Sequence, residues 1–415
     1  MAAMLAAAGS AVGRAQTMPG RFQGQSLGEA RERVKIQNLG AELSKKGHVI
    51  APGIVLVPSL TLESGYDSNP DQSFKRNQAT AYGLAGGSVM LGFLHASGAT
   101  TIAAKGNLLR DDDETLDGTR WDGGGAIDNA YKLGPGLETA FGAYALRNEI
   151  NLEPSQYAGG YSKFSYSRGT IELSLFSRIE DIRNFTPVRS AESVPPALVP
   201  FVLASQFNVR RMESLANVLA GRGQPVSVYG EIGGAYIDYM DQHVEAELDR
   251  DGSEVWALGG VRVTFDKTLT ADIGYRFNQR HLEDAQISSH ASSYFDGKLV
   301  WTPLDTVKLV LDVDRVLVEP SSAMALVGEQ TTYALRATYS LGAAWRLALH
   351  AHYRRLEEIG DSPVFIERAA GGSARYLLSD VQSIYGLIEF KNVTDISSDA
   401  HFDWLRIGMG YNFSF

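Results

Sequence analysis

Residues 269–280 read LTADIGYRFNQR, and the fold turns on how that stretch is read. Leu269, Ala271, Ile273, Tyr275 and Phe277 take alternate positions, opposite Thr270, Asp272, Arg276 and Arg280. A helix repeats about every 3.6 residues and would mix these two sets around its axis. A strand gives each set its own face, one apolar and one charged. A run of this length also exceeds the ~5–6 residues usual for strands of a soluble sandwich.

The same two-residue period recurs along the chain. Val307, Leu309, Leu311 and Val313 oppose Lys308, Asp312 and Asp314. Trp345, Leu347, Leu349 and Tyr353 oppose Arg346, His350, His352 and Arg354. Near the start, Ile54, Leu56, Pro58, Leu60 and Leu62 alternate with Val55, Val57, Ser59, Thr61 and Glu63. At the end, Leu405, Ile407, Met409, Tyr411, Phe413 and Phe415 oppose Arg406, Asn412 and Ser414.

The links between these runs sort by length. Short ones fall at 134–136, 221–225, 266–268, 303–306 and 341–343. Longer polar ones fall between them, at 67–78, 110–119, 241–251, 283–288, 319–328 and 357–370. Short turns at one end and long loops at the other describe an all-β, transmembrane, up-and-down antiparallel β-barrel. A bilayer requires such a ring to close, because unpaired strand edges are costly in lipid. Sixteen segments are clear, and 160–184 and 371–392 each read as one strand or two. With both ends on the short-turn side the number is even, so 18 strands are expected, with 16 as the alternative. Phe265, Trp301, Tyr339, Trp345 and Phe413 lie near the short turns, where an aromatic girdle is expected at a membrane interface.

Composition agrees. The 415 residues include 43 Gly and 18 Tyr, and only 21% are charged, which suits strands and turns. With 38 basic and 48 acidic residues, the net charge of -10 argues against nucleic acid as a partner. The absence of cysteine excludes disulfides, thiolate metal sites and cysteine nucleophiles. MAAMLAAAGSAVGRAQ (1–16) reads as a signal peptide over 1–15, cut near Ala15, though the usual basic residues before the apolar run are missing. Residues 16–50 read as a periplasmic lead-in, and 51–415 as the outer-membrane barrel.

Two stretches add a resemblance. RIGMGYNFSF (406–415), with Tyr411, Phe413 and Phe415 on one face, resembles the insertion signal that the barrel-assembly machinery reads in bacterial outer-membrane barrels. VPSLTLESGYDSNP (57–70) resembles the first strand of the β-barrel porins associated with exopolysaccharide and exosortase gene clusters. GYRF (274–277) and HYRR (352–355) look like strand ends of that family. The resemblance spans about 50–415 and carries no catalytic signature. It implies an outer-membrane location and a pore-like architecture, with exopolysaccharide secretion as the leading specific role; a channel passing polysaccharide or small polar solutes is the expected function. Its expected partners are outer-membrane lipid and lipopolysaccharide, the assembly machinery, and exopolysaccharide or export-system components.

Candidate functional residues follow from the polar strand faces. Glu63, Glu172, Glu231, Asp272, Arg276, Asp312, Arg336, Arg346, His350, Arg354 and Arg406 are expected to line the pore, where mixed charges set a transverse field. Ordinary lumen salt bridges are the equal alternative, since polar interiors are the default. Tyr82, Tyr229 and Trp404 are further inward candidates suited to sugars. The stretch 186–207 holds four prolines and an apolar centre, so Pro195, Pro196, Leu198, Pro200 and Phe201 are candidates for a constriction folded into the mouth.

No metal or cofactor is assigned. Asp67, Asn69 and Asp71 imitate the start of a calcium loop, but the sixth and twelfth positions are Gln72 and Gln78 rather than Gly and Glu. They read as a turn instead. The acidic run 110–118 reads as a solvated loop. His350 and His352 share a face as zinc ligands would, yet Arg346 and Arg354 flank them and would repel a cation. A rim hydrolase and a plugged structural or adhesion barrel are the rival classes. No Gly-x-Ser-x-Gly elbow, phosphate loop or His-Glu-x-x-His occurs, so the chain is read as a non-enzyme.

Overall fold

A computed structural model describes residues 47–68, 79–111, 119–148, 155–184, 208–240, 251–266, 268–283, 289–318, 327–359, 364–396 and 400–414. The strands are β1 (His48–Ala51), β2 (Ile54–Asp67), β3 (Thr80–His95), β4 (Gly98–Asp111), β5 (Thr119–Gly134), β6 (Leu137–Asn148), β7 (Ser155–Arg168), β8 (Ile171–Asn184), β9 (Val209–Ala220) and β10 (Val226–Tyr239). They continue as β11 (Gly252–Phe265), β12 (Leu269–Leu282), β13 (Ser289–Leu304), β14 (Val307–Val318), β15 (Val327–Leu341), β16 (Trp345–Ile359), β17 (Val364–Leu377), β18 (Gln382–Asp395) and β19 (Ala400–Ser414).

Each strand from β2 to β19 pairs antiparallel with its sequence neighbours, and β19 returns to pair with β2. The result is a closed up-and-down barrel of 18 strands, as the alternation predicts. Both doubtful segments split. β7 and β8 turn at Gly169, whose φ is +58°, and β17 and β18 turn across 378–381. The predicted long link 357–370 is shorter than expected, because β16 runs on to Ile359 and β17 resumes at Val364.

Closure decides which face points where. On β12, Ile273 is 64% exposed while Arg276, Asn278 and Arg280 are buried, so the apolar column faces outward and the charged one faces the lumen. The outward column stays apolar from Leu269 to Phe277 and then becomes Gln279 and His281. At ~3.4 Å per residue and a tilt of ~40° that stretch climbs roughly 20–25 Å. Leu60, Leu62, Ile388, Phe390, Ile407 and Met409 continue the belt across the closing strands. Phe265, Trp301, Tyr339 and Trp345 are all exposed near the short turns, where the girdle was expected.

The closing ladder runs only from Ser59↔Ser414 to Arg406↔Asp67. Below it β2 overhangs β19, and β1 takes up the vacant side by pairing His48↔Leu56, Val49↔Val55 and Ala51↔Ile54. Thus residues assigned by sequence to the lead-in contribute to the wall. Pro58, which has no N–H, sits where β2 passes from one partner to the other. Gly47 crosses the lumen side of β2 so closely that any Cβ there would overlap Val55 and Val57.

One ladder is incomplete. β13 and β14 pair between Gly297↔Val313 and Trp301↔Leu309, and again at Leu304↔Val307, but not above. Beyond that point Ser289–Asp296 pairs only with β12, and Asp314–Val318 only with β15. His290 Nε2 donates to Glu329 Oε1 across the break (2.9 Å), and Arg315 Nη2 donates to the other Glu329 oxygen. By alternation His290 is on the lumen column of β13, while Arg315 and Glu329 are on the outer columns of β14 and β15. Their contact places the top of the β14–β15 hairpin on the lumen side of β13. It also accounts for Glu329 being buried despite its outward position.

The turns give a direct test. Gly136 and Gly223 both have positive φ (75° and 76°), a region that costs an L-residue ~1–2 kcal/mol. A Cβ on Gly136 would also strike the Ser167 carbonyl, whereas Gly223 faces open space. Gly136→Ala is therefore expected to lower the urea midpoint of the folded protein well beyond Gly223→Ala. Equal midpoints would count against this turn geometry.

Candidate functional site

The lumen wall is the candidate site, and all eleven sequence-predicted pore residues lie on its inward columns. The structure pairs most of them instead of leaving them as isolated charges. Arg222 Nη1 lies 3.7 Å from Glu172, and Arg262 makes two bonds to Asp272 (2.6 and 3.0 Å). Arg276 Nε donates to Asp296 (3.0 Å), and Trp256 Nε1 donates to Glu231 (2.9 Å). Asp312 stands between Lys298 (3.5 Å) and Arg336 (3.9 Å).

The most connected group straddles the closing ladder. Glu63 on β2 accepts from Tyr82 OH on β3 (2.8 Å), Tyr385 OH on β18 (2.7 Å) and Arg406 Nη2 on β19 (2.5 Å). Arg406 Nε also donates to Tyr82 OH (2.9 Å), and its guanidinium lies 4.4 Å from the Tyr82 ring centroid. Four strands are thereby tied to one carboxylate. Local sequence dictates the arrangement: Gly65 and Gly408 admit the Tyr82 ring, since a Cβ at either would press on its hydroxyl. Glu63 and Arg406 were visible as inward charges, and Tyr82 as an inward aromatic. Tyr385 was missed, although it shares the strict alternation of β18.

A second group sits nearer the long loops. Glu367 on β17 is fully buried and accepts from His352 Nε2 (2.7 Å) and Arg354 Nη1 (2.8 Å). Lys391 on β18, 1% exposed, lies over the rings of Phe402 (5.9 Å) and Trp404 (5.6 Å). His352 is thus committed to a carboxylate, and the His350 ring lies against Gly371, so the two imidazoles do not converge on one metal. Among the described residues no group of three His, Asp or Glu side chains is placed to hold a metal ion.

A third group, unforeseen in the sequence, crosses β8 to β11. Arg178 meets Glu180 (3.7 Å) and Glu213 (3.1 Å), and Arg211 meets Glu213 (3.1 Å) and Glu254 (3.4 Å). Tyr144 OH donates to Glu180, and Tyr161 OH donates to Asp128 (2.6 Å). These residues become neighbours only through strand register, as in Arg178↔Glu213 and Glu180↔Arg211.

The predicted basic ladder is redistributed. Arg354 leaves it for Glu367, while Arg375 on β17 joins it, directly opposite Arg346 in register. Pro195, Pro196, Leu198, Pro200 and Phe201 lie outside the described residues, as does Phe415. Tyr229 and Trp404 point inward and are buried.

Fold and wall together define a closed β-barrel with an apolar outside and a polar inside. No protein-family model and no curated protein matches the chain. Among solved structures it is similar to the outer-membrane protein opdK from Pseudomonas aeruginosa, at 9% identity over 87% of this chain and 99% of that one, with a TM-score of 0.48. It is also similar to the FrpB iron transporter from Neisseria meningitidis (F5-1 variant), at 6% identity over 90% and 84%, with a TM-score of 0.48. A third is a bacterial polysaccharide outer membrane secretin, at 11% identity over 86% and 98%, with a TM-score of 0.38.

Glu63 provides the test of this wall. Truncating one partner of a buried charge pair typically costs ~3–5 kcal/mol, because the other charge is left unpaired. Glu63→Ala should lose about that much stability in a urea titration in detergent, and Glu63→Gln less, since its amide oxygen still accepts from one of the two tyrosines, which bond different carboxylate oxygens. A loss below ~1 kcal/mol for the alanine variant would show that water replaces the carboxylate without cost.

Proposed function

We propose that this chain is an outer-membrane channel of the porin type, passing polysaccharide or small polar solutes and acting without catalysis. The observation that carries the reading is the reversal of polarity across the wall. Exposed apolar side chains form an outer belt, and each strand from β2 to β19 has a partner on both sides, as lipid demands. Inward columns hold carboxylates, guanidiniums and phenols, and rings of 16–18 strands are wide enough to hold water. The Pro-Ser strand and Tyr-Asp-Ser-Asn turn that resemble exopolysaccharide-associated porins support a sugar cargo.

A second reading, a barrel closed at rest and serving as a structural or adhesion element, is favoured by one observation. Toward the long loops the inward side chains Val209, Ile237, Tyr239, Leu282, Val316 and Leu356 are almost fully buried. Recording in a planar lipid bilayer separates the two. Steady conductance that falls when neutral sugars of increasing size are added supports the channel, and a silent, correctly folded barrel supports the closed element. Placement in a membrane is tested separately. Ile273→Arg, at the middle of the belt, should cost ~2–4 kcal/mol in lipid vesicles, while Gln279→Arg, above it, should cost ~0–1. Equal costs would remove the bilayer from the account.

A further inference from the structure

Several described cations on the short-turn half of the lumen wall stand opposite a carboxylate, and one sector differs. Arg222 faces Glu172, Arg262 faces Asp272, and Lys132 stands opposite Glu138. On β14 to β17 the balance fails. Lys308, Arg336, Arg346 and Arg375 occupy inward positions on four successive strands. Among the described residues Asp312 is the one carboxylate on the strands of this half-sector, and Lys298 shares it; Asp305 and Asp380 lie in the short turns that bound it and leave the cations in excess. Glu389 lies beyond Gly371, on the next strand toward the seam.

The cations are also poorly satisfied by the protein. Arg346 and Arg375 stand directly opposite each other, a like-charge pairing that destabilises a sheet. Arg346 Nη1 turns back to the carbonyls of Gly342 (3.2 Å) and Trp345 (3.1 Å). Arg375 lies 5.7 Å from the Tyr385 ring centroid. Arg336 keeps 57% of its side chain exposed at 3.9 Å from Asp312, too far for a bond. The three guanidiniums therefore lack a close carboxylate partner, and Lys308 adds a fourth positive charge on the same inward face.

We propose that Lys308, Arg336, Arg346 and Arg375 form an anion-recruiting patch that selects solutes carrying several carboxylates, an acidic glycan above all. The inference rests on the channel reading and narrows its cargo. Strand spacing sets the scale: three inter-strand steps of ~4.8 Å spread the patch over ~14 Å. That span exceeds one small anion and matches a chain of charged sugars engaging several donors at once. Arginine forks bind carboxylates in pairs, which gives contact without tight immobilisation if each bond is exposed. A translocated chain must also leave, so several weak contacts serve better than one strong one.

The test uses the full-length protein and the Arg336→Glu, Arg346→Glu, Arg375→Glu triple variant, with the corresponding triple Gln variant as the control for charge loss without reversal. All are first checked for folding by gel migration without boiling. Under a KCl gradient in a planar bilayer, native barrels should prefer anions, the Gln variant should lose that preference, and the Glu variant should prefer cations. Polygalacturonate should bind the native barrel in detergent with an affinity about tenfold above that of the Gln variant, and neutral dextran should show no difference. Current with unchanged selectivity and equal polygalacturonate binding in all three would overturn the patch while leaving the channel standing. Absence of current with the binding difference intact would overturn the channel reading and leave the patch as a surface for acidic glycans. If the charge-reversed chain fails to fold, the Gln variant carries the same comparison.

Discussion

Everything in this molecule depends on the ladder between β2 and β19. A sheet with a hydrophobic outer face and two free edges has nowhere to place those edges in an apolar surrounding, and closing the ring removes them. The protein closes with a mismatch, because β2 extends past the last residue of β19. β1 makes up the difference at one end, and at the other Ser68 and Leu405 exchange a backbone bond and a side-chain bond. Between these, Glu63 draws together Tyr82, Tyr385 and Arg406. The residues that hold the seam are therefore also lumen-lining residues, and a change that alters the lumen there alters closure as well.

Closure also explains why so many charges tolerate the interior. Most of those described have an opposite charge or a phenol two residues along the strand or one or two strands across. The Arg178, Glu213, Arg211 and Glu254 chain shows this with residues from three strands, β8, β9 and β11. Where the pattern lapses, on the short-turn half of β14 to β17, an excess of positive charge faces the lumen. The contrast is informative because the fold imposes no such lapse; alternation alone would accept acidic residues at those positions equally well.

Much of this was legible in the sequence, and the reason is the period. Alternation fixed the inward or outward direction of Leu62, Glu63, Ile273 and Arg276 without knowledge of any partner, and the parity of link lengths implied the ring. What alternation lacks is register. Arg354 and Glu367 are separated by a loop whose length conceals that they face each other, so by alternation alone Arg354 belongs to the basic ladder. Tyr385 and Lys391 belong to a strand recognised only as a doubtful segment. β1 was overlooked because its four residues give too short a run for a period to show. The inward turn of the β14–β15 hairpin was hidden for another reason: nothing in the alternation of β13 or β14 marks where their pairing stops.

That stop has a mechanical meaning. Two ladders in the ring are shorter than the rest, β19 with β2 and β13 with β14, and they lie on either side of β14 to β19. The wall is thus two curved panels, one of twelve strands and one of six, joined along two narrow hinges. Each panel is stiffened internally by full-length pairing. Force applied to the barrel concentrates its strain at the hinges, where the fewest hydrogen bonds resist it. The six-strand panel includes the overfolded hairpin, the buried Glu367 group and the surplus of cations, so the two hinges bound the stretch of wall on which that surplus lies.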